Sequence, residues 1–226
     1  MSAYFVTATG TDIGKTFVTA GVIRHLRRAG EKVSALKPVV SGFDIATAAL
    51  SDPGVLLDAL EEPVTSESLD RISPWRFAAP LSPDMAAARE DKTLDFEAIV
   101  TLCRETVAET HGTLFIEGVG GVMVPLDDHH TVLDWMAALE IPLILVAGSY
   151  LGTISHTLTA LDAVQRRGLK IACLVIDETG DGAVPIEETT ATLARFAPDV
   201  RIVTILRVKR AVDAAANFAA LWRAIR

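Results

Sequence analysis

The sequence predicts a single α/β domain, a mostly parallel sheet between two layers of helix, and three observations carry that prediction. Short apolar runs rich in Val, Ile and Leu alternate with helical patterns along the chain. Several of these runs are apolar on both faces, as strands become when helices cover both sides of a sheet. The first run ends in a glycine-containing turn that leads directly into a helix, the setting of a phosphate-binding loop. Together they give a three-layer, P-loop NTPase-like, Rossmann-like fold, read as one domain over residues 1–226.

Composition agrees. The chain has 226 residues, 50% of them apolar and 22% charged, enough to bury a full core without staples. Cys103 and Cys173 lie far apart without metal-type spacing and read as reduced core thiols. A formal charge of −8 with scattered Lys and Arg provides no electrostatic footprint for nucleic acid. The longest apolar run, 141–148, is far short of the roughly 20 residues that span a bilayer. Met-Ser-Ala runs straight into the first strand without a charged leader, so the chain reads as cytoplasmic, with no membrane partner.

In chain order, strands are expected at "AYFVTA" (3–8), "KVSALKPVV" (32–40), "TLFIEG" (113–118), "PLILVAG" (142–148), "IACLVID" (171–177) and "RIVTIL" (201–206). Helical patterns cover 15–29, 52–61, 95–110, 131–139, 153–167, 186–196 and 211–224, and Gly30 and Gly168 stand where helix ends want glycine. Segment 62–94 is the least regular. Its "SPWRFAAPLSPDMAAARE" carries three prolines and reads as a long loop with a short helix from Met85, either functional or a plain crossover.

The loop "ATGTDIGKT" ends in Gly14-Lys15-Thr16. A polyphosphate needs unpaired backbone N–H groups, which a helix amino end supplies together with its dipole. Gly14 lets the backbone approach an oxygen, Lys15 brings a point charge, and Thr16 offers a hydroxyl to Mg²⁺. The usual spacing wants glycine at position 9, where Thr9 stands with Gly10 following, so the loop is expected to be rearranged.

Lys37 interrupts an apolar strand, which is costly unless it reaches a cleft or a partner, and Ser41 and Gly42 follow in a turn. Ligands of such sheets sit beyond the carboxyl ends of the strands, so Lys37 is expected to face the same phosphates as Lys15; the bland reading is a lysine snorkelling at a sheet edge. Glu117 closes an apolar strand just before Gly118, Gly120 and Gly121, the place of a Mg²⁺-side carboxylate. Asp52 is a second carboxylate, or simply a helix N-cap. His129 and His130 read as a solvated acidic turn, and His156 as a helix residue packing locally.

Four segments in this order, "VTATGTDIGKT", "KPVVSG", "IEGVGGVMVPL" and "LGTISHTLTALDA", resemble the dethiobiotin synthetase family over residues 4 to 177. The resemblance implies a sheet of about seven parallel strands, a homodimer, and Mg²⁺-ATP-dependent ring closure of 7,8-diaminononanoate with CO₂ through a carbamate and a carbamic-phosphoric anhydride. It implies that Lys37, Lys15, Thr11 and Ser41 serve the chemistry. It places nucleotide on Asp12, Ile13, Gly14, Lys15, Thr16, Phe17, Asp52, Glu117, Gly118, Val119, Gly120 and Asp177, and Mg²⁺ on Thr16, Asp52 and Glu117. It places substrate on Ser41 and on the helix start at Thr153, Ile154 and Ser155. Ala8 stands where members often have glycine, Asp177 where many have asparagine, and Leu206 at a proline, so another nucleotide such as CTP stays open beside ATP. Two other readings compete. Amidating phosphate-loop synthetases carry a glutamine-hydrolysing domain with a nucleophilic cysteine, for which neither cysteine here is placed. Switch ATPases of the partitioning or division-site type carry a lysine early in the loop, where positions 8–13 read Ala-Thr-Gly-Thr-Asp-Ile.

Overall fold

The computed structural model describes residues 2–178, 184–207 and 211–226, with side chains of the last segment from residue 215. In chain order the elements are β1 (Ser2–Ala8), α1 (Lys15–Arg28), β2 (Val33–Leu36), β3 (Val39–Ser41), α2 (Asp52–Ala59), α3 (Ser66–Ile72), β4 (Trp75–Phe77), α4 (Pro83–Ala88), α5 (Phe96–Glu109), β5 (Thr113–Glu117), α6 (Val132–Leu139), β6 (Leu143–Gly148), α7 (Thr153–Arg166), β7 (Ile171–Asp177), α8 (Ile186–Phe196), β8 (Ile202–Ile205) and α9 (Ala211–Ile225). A short 3₁₀ helix, Ile45–Leu50, precedes α2.

Six strands form the main sheet in the order β2-β5-β1-β6-β7-β8, every pair parallel. After β1 the chain first builds one side of the sheet, then returns past β1 to build the other. The carboxyl end of β1 is therefore where the strand order reverses, the crevice in which open α/β sheets hold ligands. Both faces are covered. Phe5, Val6, Ile116, Ile144 and Val175 have no exposed surface, which is why these runs are apolar throughout rather than alternating. Phe5 packs edge-on against Trp135 of α6, with ring centroids 4.9 Å apart. The Tyr4 hydroxyl donates to the Ile225 carbonyl at 2.8 Å and ties α9 to the central strand.

The structure corrects the expectations in two places. The segment 32–40 is not one strand. It breaks at Lys37-Pro38, where the Lys37 N–H donates to the Ile72 carbonyl at 2.9 Å and Pro38 has no N–H to offer a ladder. The chain then resumes as β3, which pairs in parallel with β4 as a separate two-stranded sheet. Among the described residues the parallel strands divide six and two, in keeping with the mostly parallel sheet of about seven strands that was expected. Segment 62–94 is also more ordered than a loop. It holds α3, started by a Thr65–Ser68 capping box, then β4, then α4, which begins at Pro83 rather than Met85.

Candidate active site

A cavity of about 750 Å³ opens at the carboxyl edge of the sheet, between the β1–α1 loop and the β3–β4 pair. Its floor is the loop. Thr9 continues the β1 ladder, its N–H donating to the Val146 carbonyl at 3.0 Å, so no glycine is needed there. The crowded point is one residue later: a Cβ on Gly121 would lie 3.2 Å from the Gly10 backbone. That close approach calls for glycine at 121, while a Cβ on Gly10 itself would meet nothing nearer than Ile13 at 3.6 Å. Gly14, at φ 93°, turns the chain into α1, and no acidic residue occupies the first turn to compete with an anion for its N–H groups.

Lys15 is nearly buried, and its ammonium donates to the carbonyls of Gly10 at 3.2 Å and Gly120 at 2.7 Å. Burial, with the nearby Lys37 charge, lowers its pKa to about 8. The carbonyl of Gly120 is presented there because the segment after β5 runs on beside β1. Gly118 N–H donates to Val6 and Val122 N–H to Ala8, at 2.9 and 3.1 Å.

Lys37 is 1% exposed, so it does not snorkel. Its ammonium lies 2.8 Å from Glu117 Oε1, 2.8 Å from Asp52 Oδ2 and 2.8 Å from the Gly118 carbonyl. Burial works against its charge, but Glu117 and Asp52 override that and hold the pKa above the usual lysine value. In turn Lys37 and the Thr16 hydroxyl outweigh the burial of Asp52 and lower its pKa. Asp52 is free for this because Ser51, not Asp52, caps α2 by accepting from the Gly54 N–H. Two lysines thus face two carboxylates, with Asp12 a third acidic residue at the cavity wall.

Thr16 Oγ1 sits 2.8 Å from Asp52 Oδ1 and 2.7 Å from Glu117 Oε1. A hydroxyl has one proton, so only one of these contacts can be a hydrogen bond at a time. The other brings lone pairs together. Glu117 Oε2, fully buried, has no hydrogen-bond partner among the described residues. A hydroxyl and two carboxylates, short of donors, suit a hard divalent cation with oxygen ligands.

Of the residues singled out from sequence, Thr11, Asp12, Ile13, Gly14, Lys15, Thr16, Phe17, Lys37, Ser41, Asp52, Val119 and Gly120 line this cavity, with Glu117 and Gly118 directly behind Lys37. Asp177 does not line it. Its carboxylate lies against the back of Gly14, 2.3 Å from where a Cβ would stand, and burial with the neighbouring Glu178 pushes its pKa up to about 7. Thr153, Ile154 and Ser155 are also absent from the cavity wall. They open α7 behind Gly152, and Thr153 spends its hydroxyl on the Gly148 carbonyl at 2.7 Å. His156 meets the Tyr150 hydroxyl at 2.8 Å, and His130 stacks on Phe96 while Asp127 holds its ring nitrogen. Burial pushes both cysteine thiols up to about 12, which keeps them unreactive. Sequence reasoning missed the opposite wall: Val40, Leu50, Pro80, Leu81, Ser82 and Pro83. The proline-flanked serine in "PLSP" was the available signal.

Among the described residues no helix is long and apolar enough to cross a membrane. A family model described as an AAA domain matches residues 2–216. The ATP-dependent dethiobiotin synthetase BioD of Acidiphilium cryptum is 50% identical over 196 residues, covering 86% of this chain and 88% of that protein. The protein of the same name from Methylobacterium nodulans is 45% identical over 212 residues, covering 92% and 94%. Among solved structures, apo McdA of Cyanothece aligns over the whole of both chains with a TM-score of 0.60 at 13% identity. The cell division ATPase MinD of Pyrococcus furiosus gives 0.58 at 16%, covering 100% of this chain and 98% of that one. At such identities the likeness speaks for the fold alone.

Proposed function

The chain belongs to the ATP-dependent dethiobiotin synthetase family, and from that premise we propose that it closes the ureido ring of dethiobiotin from 7,8-diaminononanoate, CO₂ and ATP. One amine captures CO₂ as a carbamate, ATP phosphorylates the carbamate, and the second amine attacks the mixed anhydride and expels phosphate. ATP as a co-substrate puts the reaction in the cytoplasm.

The observation that carries the reading is the Lys37 ammonium. It is buried, charged, and at one cavity with the phosphate loop. The difficult part of this chemistry is bringing a carbamate anion to a triphosphate. Lys15 and Lys37 enter from separate strand ends and neutralise the γ-phosphate and the carbamate. Amine attack on CO₂ itself asks little of the protein beyond position. Thr16, Asp52 and Glu117 would hold Mg²⁺, which when bound supplies charge to the phosphates. With Glu117 and Asp52 so engaged, Lys37 would be free to turn its ammonium to the incoming anions. Lys15 must likewise exchange the Gly10 and Gly120 carbonyls for phosphate oxygens. Thr11 and the amides from Asp12 to Phe17 line the phosphate path, with Val119 across from them. Asp177 would face the base side of the loop, and Ser41 the reacting end of the diamine.

The start of α7 belongs to the same reading through a second copy. Its N–H groups have no capping side chain, yet they do not reach the cavity of their own chain. We propose a homodimer in which this end of one copy holds the substrate carboxylate bound to the other.

Pure protein with diaminononanoate, bicarbonate, Mg²⁺ and each nucleoside triphosphate in turn tests the reading. Dethiobiotin by mass, with matched phosphate release, is the expected result. Nucleotide hydrolysis that ignores the diamine and yields no dethiobiotin would refute it.

A further inference from the structure

Two serines, Ser41 and Ser82, stand in the cavity wall facing the phosphate loop; among the described residues neither hydroxyl has a hydrogen-bond partner, and each oxygen is turned in from the open space, so a χ1 turn brings it to a ligand. Ser82 departs from local structural logic. It occupies the N-cap position of α4, where a serine normally accepts from a helix N–H. The Asp44, Ser51, Thr65 and Asp95 side chains all do this for their own helices. The Ser82 hydroxyl does not, and its neighbour Pro83 opens the helix instead. A buried hydroxyl that serves neither its helix nor another side chain is a cost that stability alone would have removed.

Its position is also well fixed. The parallel pairing of β3 with β4 sets Ser41 opposite Phe77, five residues before Ser82. Gly42 N–H donates to the Ala79 carbonyl at 3.1 Å, and Leu81 N–H to the same oxygen at 2.9 Å. Pro80 sits so close that a Cβ on Gly42 would lie 3.2 Å from it. The Ser82 carbonyl accepts from Ala86 at 2.8 Å. Prolines at 80 and 83 stiffen the segment between these anchors.

We infer that Ser82 is a substrate-binding residue whose hydroxyl accepts a hydrogen bond from the second, uncarboxylated amine and holds it for ring closure. The inference rests on the proposed ring-closing reaction and deepens it. In that step the amine nitrogen forms a C–N bond to the carbamoyl carbon. The C–O bond to phosphate breaks, phosphate leaves with the electron pair, and the nitrogen gives up one proton. Water can attack the same carbon and return carbamate and phosphate with no ring formed. An amine fixed by a hydroxyl is placed ahead of water, whereas an amine free to rotate is not.

The test uses Ser82→Ala and Ser82→Thr in the full chain, with melting temperatures recorded for both. Phosphate release, dethiobiotin formation, and KM for the diamine and for ATP are measured. Losing one neutral hydrogen bond predicts a diamine KM raised about five- to tenfold, with ATP KM held within about twofold. Phosphate per dethiobiotin should rise above the wild-type ratio in Ser82→Ala, and Ser82→Thr, which keeps the hydroxyl, should restore coupling. A Ser82→Ala enzyme that stays fully coupled with an unchanged diamine KM overturns the inference. So does a uniform fall of all parameters together with the melting temperature, shared by Ser82→Thr. A wild-type protein that makes no dethiobiotin overturns the underlying reaction and this inference with it.

Discussion

Replacing Lys37 by methionine keeps the length of the side chain and removes its charge. The structure sets the size of the effect. The ammonium stands 2.8 Å from Glu117 and 2.8 Å from Asp52. At an effective dielectric of about 20 each attraction is worth about 6 kcal/mol gross, most of it offset by desolvation. Removing one member of a buried ion pair leaves a net loss of about 3–5 kcal/mol, because Glu117, with no exposed surface, loses its partner. For a chain of this length that is on the order of 10 °C in melting temperature. Mg²⁺ bound between Glu117 and Asp52 should return part of it, so the deficit should shrink with added Mg²⁺ in Lys37→Met more than in the wild type. Turnover should fall about 10²–10³-fold, the usual loss for one preorganised charge. ATP affinity by calorimetry should change far less, since the loop and Lys15 remain. Turnover within about threefold of wild type would remove Lys37 from the chemistry and leave it a structural ion pair.

Asp177→Asn tests the raised acid against Gly14. An acid whose pKa is about 7 in the folded chain and about 4 unfolded costs nothing below pH 4, destabilises progressively between about pH 4 and 7, and costs a constant amount above that. Three units correspond to about 4 kcal/mol, and halving for the part of the carboxyl still wetted leaves about 2. Urea melts should show the variant's advantage growing between about pH 4 and 7 and levelling off above; an advantage independent of pH defeats the assignment. Gly14→Ala meets both an unfavourable φ of 93° and the Asp177 carboxylate, and should cost about 1–3 kcal/mol and most ATP affinity. Combined with Asp177→Ala, part of that cost should disappear in a double-mutant cycle, and simple additivity would show that the clash is not its source. Leu151, 80% exposed just before α7, should lie in the homodimer contact, so Leu151→Asp should shift sedimentation towards monomer and lower turnover while ATP affinity holds. An unshifted dimer would move the interface elsewhere.

The parts of this molecule that were legible in the sequence are those where one physical demand acts on consecutive residues. Burial on both faces writes itself into 3–8, 113–118 and 142–148, and each of those runs is a strand. The need for free N–H groups at the start of a helix writes itself into Gly14-Lys15-Thr16. Glu117 was legible for the same reason, as a charge ending an otherwise apolar strand. The break at Lys37-Pro38 was not, because a nine-residue run read as one strand gives no sign that its two halves pair with different partners. The Lys37 N–H goes to Ile72 and β3 goes to β4, contacts set more than 30 residues away along the chain.

Asp52 shows how a site escapes a local rule. Read alone it is a helix N-cap, and the rule fails because Ser51 satisfies the helix first, which frees the carboxylate for Lys37 and Thr16. Ser82 is the mirror case. Proline takes the first helical position, the serine beside it makes no cap, and among the described residues its hydroxyl has no hydrogen-bond partner. In both, the side chain available for chemistry is the one whose ordinary structural duty is done by a neighbour or left undone. Two such exceptions line one cavity, and the proposed reaction would use the first as a carboxylate for the cation and the second as a hydroxyl for the amine.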